Sequence, residues 1–161
     1  MATLGKRVRV IALGQQAAGD DAVGLAVLEW LRTRHAVSRD LLEEMELMVA
    51  PEASALVPLL ETTAEVVVVD AMLDLPPGEV REFAPEDLAR GGPQPMSSHG
   101  VGVGQAIALA RLLAPETVSP SIRIVAVTVM RPERYEYGLS PVVAAAVPRA
   151  VERIFELLMR G

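Results

Sequence analysis

The sequence predicts an α/β protein, a three-layer α/β/α sandwich in which helices cover both faces of a twisted, mostly parallel five-stranded sheet. Two observations support this fold class. Segments rich in Val, Ile and Leu alternate along the chain with segments of helical periodicity. The length of 161 residues also suits one domain with a core of its own. We therefore expect a single domain over residues 1–161.

The predicted strands are of different kinds. Two segments are long β-branched runs, typical of strands covered on both faces. The segment that follows Pro76, Pro77 and Gly78 alternates charged with apolar residues, which suits an exposed edge of the sheet. In chain order, the five predicted strands are residues 7–13, 46–50, 65–69, 79–83 and 122–130.

Four predicted helices alternate with these strands, at residues 22–34, 53–60 and 100–113 and from Pro141 onward. Residues 100–113 carry Gln105 and Arg111 as their only polar side chains, so we expect this helix to be largely buried. Ser140 and Pro141 suit the N-cap and the first position of the last helix. The irregular stretch 86–98 is expected to be a functional or mobile loop.

Composition excludes several classes of protein. The 15 Lys and Arg residues are outnumbered by 21 Asp and Glu residues, and 3% of residues are aromatic, so we expect no nucleic-acid partner. The absence of cysteine excludes disulfides, thiolate metal sites and thiol nucleophiles. The apolar run after Arg9 is too short for a signal peptide, and no segment is suited to span a membrane. A cytoplasmic protein without a membrane partner is the expectation.

Chemically useful side chains are predicted at one edge of the sheet. Asp20 and Asp21 follow the first strand. Asp70 comes at the end of the third strand, and His99 precedes the third helix. Ligands of open α/β sheets bind beyond the carboxyl ends of the strands, which is where these segments meet. Two carboxylates and a neutral imidazole suit a divalent transition metal such as zinc or nickel, and three protein ligands leave a position for water or substrate.

Each of these residues also has a purely structural interpretation. Asp20 or Asp21 would cap the helix that begins beside it, with the neighbouring Asp pointing outward. His99 taken alone suits a surface position at a helix start. Asp70 is harder to explain in this way, because a carboxylate after four valines is costly to bury unless it is paired, hydrogen-bonded or bound to a cation.

Other motifs are weaker. A dinucleotide-binding fingerprint needs glycine at positions 12, 14 and 17, which hold Ala, Gly and Ala. Gly100, Gly102 and Gly104 would either receive an anion or let their helix approach the sheet closely. The sequence contains neither a G-x-S-x-G elbow nor a HExxH helix. A small nucleotide- or phosphate-binding domain is therefore an alternative motivated by these three glycines alone.

The sequence resembles the [NiFe]-hydrogenase maturation endopeptidase family. The resemblance covers nearly the whole chain, through segments 8–24, 66–71, 97–102, 127–129, 131–132 and 137–141. Such proteins remove a C-terminal extension from the large-subunit precursor of a [NiFe] hydrogenase once nickel is in place. The resemblance implies that Asp21, Asp70 and His99 are the metal ligands and the catalytic residues, with Asp21 at a position where family members often have Glu.

The metal implied by this resemblance is nickel contributed by the precursor, and zinc or cadmium would be further divalent occupants in vitro. Either the nickel polarises a water or carbonyl, or the metal contact serves recognition while Asp21 or Asp70 acts as a general base.

Two turns depart from the family pattern and motivate an alternative function. Residues 12–15 read Ala-Leu-Gly-Gln where the family has Gly-x-Gly-Asn, and residues 49–52 read Val-Ala-Pro-Glu where many members have Asp-Gly-Gly-Thr. These departures bear on the choice of precursor. They also leave open a non-catalytic, metal-dependent binding or chaperone module for hydrogenase assembly. Because the sequence leaves no strongly apolar surface stripe, a monomer is the expectation.

Overall fold

A single five-stranded sheet forms the centre of the molecule. The computed structural model describes residues 8–15, 19–33, 43–89, 102–131 and 138–160. The strands are β1 (Val8–Leu13), β2 (Met45–Ala50), β3 (Glu65–Leu73), β4 (Val80–Phe83) and β5 (Ile122–Val129). Their order in the sheet is β2-β1-β3-β5-β4, and only β4 is antiparallel to its neighbour. The mostly parallel sheet and the edge position of residues 79–83 are thereby confirmed.

Helices connect these strands. The described part contains α1 (Val23–Thr33), α2 (Leu56–Leu59), α3 (Pro85–Ala89), α4 (Val103–Leu113) and α5 (Pro141–Arg160). Two 3₁₀ turns, Gly19–Ala22 and Ala53–Ala55, lead into α1 and α2. The last helix begins at Pro141, directly after Ser140, as the sequence predicts. Within the described ranges, no helix combines the length and the apolar character that crossing a bilayer requires.

The helices cover both faces of the sheet, which confirms the three-layer arrangement. One core lies between the sheet and helices α1 and α5, and the other between the sheet and helices α2 and α4. Strand β3 contributes to both, because Val67 and Val69 belong to the first core and Val66 and Val68 to the second. All four valines are at most 3% exposed. Each one stabilises the fold by about 1.5–3 kcal/mol relative to an exposed position.

Strand β3 is longer than the sequence predicts. It remains paired with β5 as far as Leu73, opposite Val129. Its pairing with β1 stops earlier, at Val69 opposite Ala12. Asp70 therefore lies inside the strand, at the point where β3 extends beyond β1, rather than after the end of β3. Pairing with β5 on one side is the physical reason for the extension.

The expectation of an irregular stretch over residues 86–98 is wrong for its first part. Residues 86–89 belong to α3, in which the carboxylate of Asp87 accepts a hydrogen bond at 2.8 Å from the N–H of Ala84, the residue that precedes the helix. Residues 90–98 lie outside the described part.

Helix α4 is not largely buried, contrary to expectation. Its inner side packs in the core, but Leu112 and Leu113 are 79% and 66% exposed, because only one face of the helix meets the sheet. Gly104 faces α3 rather than the sheet, since a Cβ there would lie 3.1 Å from the Cβ of Leu88. A monomer is expected if the surface has no apolar stripe, and the exposed leucines weaken that argument. The oligomeric state stays a prediction.

Candidate functional site

Asp21 and Asp70 lie together at the carboxyl edge of the sheet. Asp21 belongs to the 3₁₀ turn between β1 and α1, and Asp70 lies in β3 just beyond the last residue paired with β1. Their proximity appears in the electrostatics, because the negative charge of Asp21 raises the pKa of Asp70. Strand alternation places the Asp70 side chain on the face of the sheet covered by α2 and α4. The structure thus brings two of the predicted site residues to one location.

Two glycines set the path of the chain around Asp21. A Cβ on Gly24 would lie 2.6 Å from the carbonyl oxygen of Leu13 and 2.8 Å from that of Val69. A Cβ on Gly14, whose φ is +139°, would lie 2.7 Å from the carbonyl oxygen of Asp21. No side chain fits at such distances, so glycine allows α1 to begin directly on the ends of β1 and β3. Asp21 is thereby held over the edge of the sheet.

Burial raises the pKa of both carboxyl groups. The pKa of Asp70 rises to about 7, chiefly because burial penalises its charged form. The N–H of Ala71, which donates to Oδ1 of Asp70 at 2.8 Å, lowers this pKa, while the charge of Asp21 raises it further. The pKa of Asp21 is also raised by burial. Asp70 therefore gains and loses a proton near neutral pH, and a cation beside the two carboxyl groups would favour their ionised forms.

The neighbouring carboxylate, Asp20, binds a different partner. The N–H of Ser140 donates to Oδ1 of Asp20 at 2.7 Å, and the hydroxyl of Ser140 donates to Oδ2 at 2.8 Å. Ser140 immediately precedes α5. Both oxygens of Asp20 therefore bind the N-cap residue of a helix other than α1, and the interpretation of Asp20 or Asp21 as a cap of α1 stays a prediction.

Comparison with known proteins identifies the family. A family model described as HycI, hydrogenase maturation protease, matches residues 50–157. The chain belongs to the hydrogenase maturation protease family. A search of curated protein sequences finds no significant match.

Solved structures of hydrogenase maturation proteases share this fold. The Escherichia coli hydrogenase maturating endopeptidase HybD is 20% identical, with a TM-score of 0.71 over 96% of this chain and 93% of that chain. The [NiFe] hydrogenase maturation protease HybD from Thermococcus kodakarensis is 23% identical, with a TM-score of 0.68 over 94% and 99% of the two chains. HycI from Thermococcus kodakarensis KOD1 is 20% identical, with a TM-score of 0.64 over 96% and 93%. The fold likeness thus extends to the part of the chain before residue 50.

In this hydrogenase maturation protease, the described residues bring together only two members of the predicted metal-binding triad, Asp21 and Asp70. The family match includes the positions of Asp70 and His99 but begins after Asp21. His99 lies outside the described residues, and the described ranges contain no cluster of three or more His, Asp or Glu side chains arranged for a metal. Val103, four residues after His99, packs in the core on the Asp70 face of the sheet. A site for nickel, zinc or cadmium formed by Asp21, Asp70 and His99 stays a prediction.

Two residues that position the site belong to no recognisable motif. For Gly24 the local signal is a glycine at the start of a predicted helix that follows a predicted strand, a place where close packing of helix and strand favours glycine. The role of Ser140 as the partner of Asp20 has no such local signal, because the two residues are 120 positions apart.

Proposed function

We propose that this hydrogenase maturation protease removes the C-terminal extension from the large-subunit precursor of a [NiFe] hydrogenase after nickel insertion. Membership of the family supports the reaction class. The pairing of Asp21 with Asp70 at the carboxyl edge of the sheet is the observation that carries the proposal. Carboxyl groups with raised pKa values suit peptide hydrolysis, in which a proton is taken from water and given to the leaving amine.

Nickel enters the proposed reaction as part of the substrate. Two nearby carboxylates repel each other in the free enzyme, which contributes to the raised pKa of Asp70. A nickel ion carried by the precursor would relieve this repulsion, so the enzyme gains binding energy only from a loaded precursor. Asp21, Asp70 and His99 would supply oxygen and imidazole ligands to that nickel. The enzyme would in this way select precursors that already contain nickel, without holding a metal of its own.

Asp70 is better suited than Asp21 to transfer a proton. Its pKa of about 7 leaves it partly protonated near neutral pH, and the approach of nickel favours the loss of that proton. The carboxylate then accepts a proton from the attacking water and returns it to the amine of the released extension. Asp21 and His99 would act only as nickel ligands that fix the position of the scissile peptide, whereas Asp70 would bind the nickel through one oxygen and transfer the proton through the other.

Cleavage of purified precursor tests the proposal. The enzyme is incubated with nickel-loaded precursor, with nickel-free precursor and with precursor loaded with zinc, and the products are weighed by intact-protein mass spectrometry. We expect only the nickel-loaded form to lose its extension. Binding of that form without cleavage would favour the metal-dependent chaperone instead. Neither binding nor cleavage would contradict both functions.

Asp74 offers a matched control for Asp70 in the same assay. It follows the end of β3 and forms an ion pair with Arg81. Asp74→Asn makes the same chemical change as Asp70→Asn at the same edge of the sheet. We expect Asp70→Asn to abolish cleavage and Asp74→Asn to retain it, whereas equal losses in the two variants would contradict the assignment of Asp70.

A further inference from the structure

Two hydrogen bonds join Asp20 to Ser140 across 120 positions of sequence. Each oxygen of the Asp20 carboxylate accepts one of them, from the N–H at 2.7 Å and from the hydroxyl at 2.8 Å. Hydrogen bonds of partly buried, charged acceptors are among the stronger ones in proteins. Because α1 and α5 share one core, the contact links the starts of two helices that pack on the same face of the sheet.

Asp21 lies between this contact and a second anchor. On its far side, Gly24 rests on the carbonyl oxygens at the ends of β1 and β3. The 3₁₀ turn that holds Asp21 has only four residues, Gly19–Ala22. Fixing the chain at Asp20 and at Gly24 therefore leaves the backbone of Asp21 little freedom to move.

We propose that Asp20 and Ser140 form a positioning clamp that holds Asp21 beside Asp70 before the substrate arrives. The inference rests on the proposed function, since the nickel-bearing precursor is the partner that uses this geometry. Neither residue touches the substrate. Both act through Asp21, by holding its carboxylate in the orientation that the reaction needs.

Three variants separate the clamp from a simple loss of charge or stability. Asp20→Ala removes both hydrogen bonds, and Ser140→Ala removes only the one from the hydroxyl. Asp20→Asn keeps both contacts without the charge, because its amide oxygen accepts from the Ser140 N–H and its amide group donates to the Ser140 hydroxyl.

Ser119→Ala is the control for lost hydrogen bonds at the opposite end of the sheet. The Ser119 hydroxyl donates to the carbonyl oxygen of Ala64 at 2.6 Å and accepts from the N–H of Ser121 at 3.3 Å. Ala64 directly precedes β3, so this network lies at the amino ends of the strands. The variant loses a similar number of hydrogen bonds without disturbing the site.

The first measurement is hydrogen–deuterium exchange of residues 19–24 in the free enzyme, which needs no substrate. We expect Asp20→Ala to accelerate this exchange about tenfold or more. Ser140→Ala should have a smaller effect in the same direction. Asp20→Asn and Ser119→Ala should leave exchange of these residues unchanged.

The second measurement is the kinetics of precursor cleavage. We expect kcat to fall about tenfold to hundredfold in Asp20→Ala with little change in KM, because the misplaced Asp21 still attracts the metal but no longer aligns the peptide. Asp20→Asn should restore kcat to within about threefold of the unaltered enzyme. Ser119→Ala should cleave at the unaltered rate.

Each contrary result overturns the clamp in a distinct way. Unchanged exchange of residues 19–24 in Asp20→Ala would mean that the contact does not hold the turn. Faster exchange with unchanged kcat would mean that the held position does not matter for cleavage. Equal losses in Asp20→Asn and Asp20→Ala would assign the effect to charge. If the unaltered enzyme cleaves no precursor, the proposed function fails, and the exchange measurement alone decides whether the clamp exists.

Discussion

The backbone of Gly24 lies directly against the carbonyl oxygen of Val69, so the start of α1 rests on β3 with no room for a side chain between them. Asp21 precedes this contact by three residues, and Asp70 follows Val69 in β3. The closeness of helix and strand therefore sets the distance between the two carboxylates. Any group inserted at this contact would lift Asp21 away from Asp70.

Gly24→Ala is expected to lower both stability and activity. Its Cβ would lie 2.6 Å and 2.8 Å from two backbone oxygens, so α1 must shift. We expect a loss of about 1–3 kcal/mol in the free energy of unfolding, measured by chemical denaturation, together with a loss of cleavage.

Gly104→Ala is the matched control for Gly24→Ala, because Gly104 is also a helical glycine. A Cβ there would lie 3.1 Å from the Cβ of Leu88, so the short helix α3 must shift by a few tenths of an ångström, and the higher helix propensity of alanine offsets part of that cost. We expect a change within about 1 kcal/mol. Equal effects of the two substitutions would contradict a special role for the contact between Gly24 and Val69.

Asp21→Asn and His99→Ala are expected to abolish cleavage while the protein stays folded. Each substitution removes one proposed contact with the substrate's nickel, and neither removes a large apolar side chain from the core. Circular dichroism and thermal unfolding report on the fold, and mass spectrometry reports on cleavage. If both variants cut the nickel-loaded precursor at the unaltered rate, the triad is wrongly assigned.

Asp70 makes stability depend on pH in a direction unusual for a carboxyl group. Its pKa of about 7 in the folded protein exceeds the ordinary value of 3.8. The folded state then binds the proton more tightly than the unfolded state, so the free energy of unfolding falls as pH rises from about 4 to about 7.

Replacing Asp70 by a neutral isostere should remove this dependence. We expect Asp70→Asn to be more stable than the unaltered protein by up to about 4 kcal/mol at pH 8, with little difference at pH 4. Chemical denaturation at the two pH values measures the difference. If Asp70→Asn raised the free energy of unfolding by the same amount at pH 4 and at pH 8, titration of Asp70 would not be the cause.

The same titration should appear in the rate of cleavage. If Asp70 must be ionised to accept a proton, kcat/KM rises as pH increases and levels off above the pKa of about 7. Initial rates of cleavage of nickel-loaded precursor between pH 5.5 and pH 8.5 provide the profile. A flat profile over this range would remove Asp70 from the role of general base.

Some features of the fold and site follow from local sequence. Four consecutive valines have few stable environments other than a strand covered on both faces, so the position of β3 could be predicted. The meeting of Asp21 with Asp70 also follows from the rule that parallel strands present their carboxyl ends at one edge. Both predictions use only the type and order of nearby residues.

Features that depend on distant contacts could not be predicted in this way. The extension of β3 to Leu73 comes from its pairing with β5, and the partner of Asp20 depends on how α1 and α5 pack. The exposure of Leu112 and Leu113 has a similar origin, because composition alone does not tell which face of a helix meets the sheet.

Asp70 follows Val66 and Val68 at intervals of two along β3, and this spacing alone puts its carboxylate on the α2 and α4 side of the sheet. One residue inserted or deleted between Val66 and Asp70 would turn the carboxylate into the core beneath α1 and α5 and bring an apolar side chain to its place. A substitution in this strand alters packing at one position, whereas an insertion or deletion moves every later side chain of the strand to the opposite face of the sheet. The length of β3 between Val66 and Asp70 is therefore more tightly constrained than the identity of the residues within it.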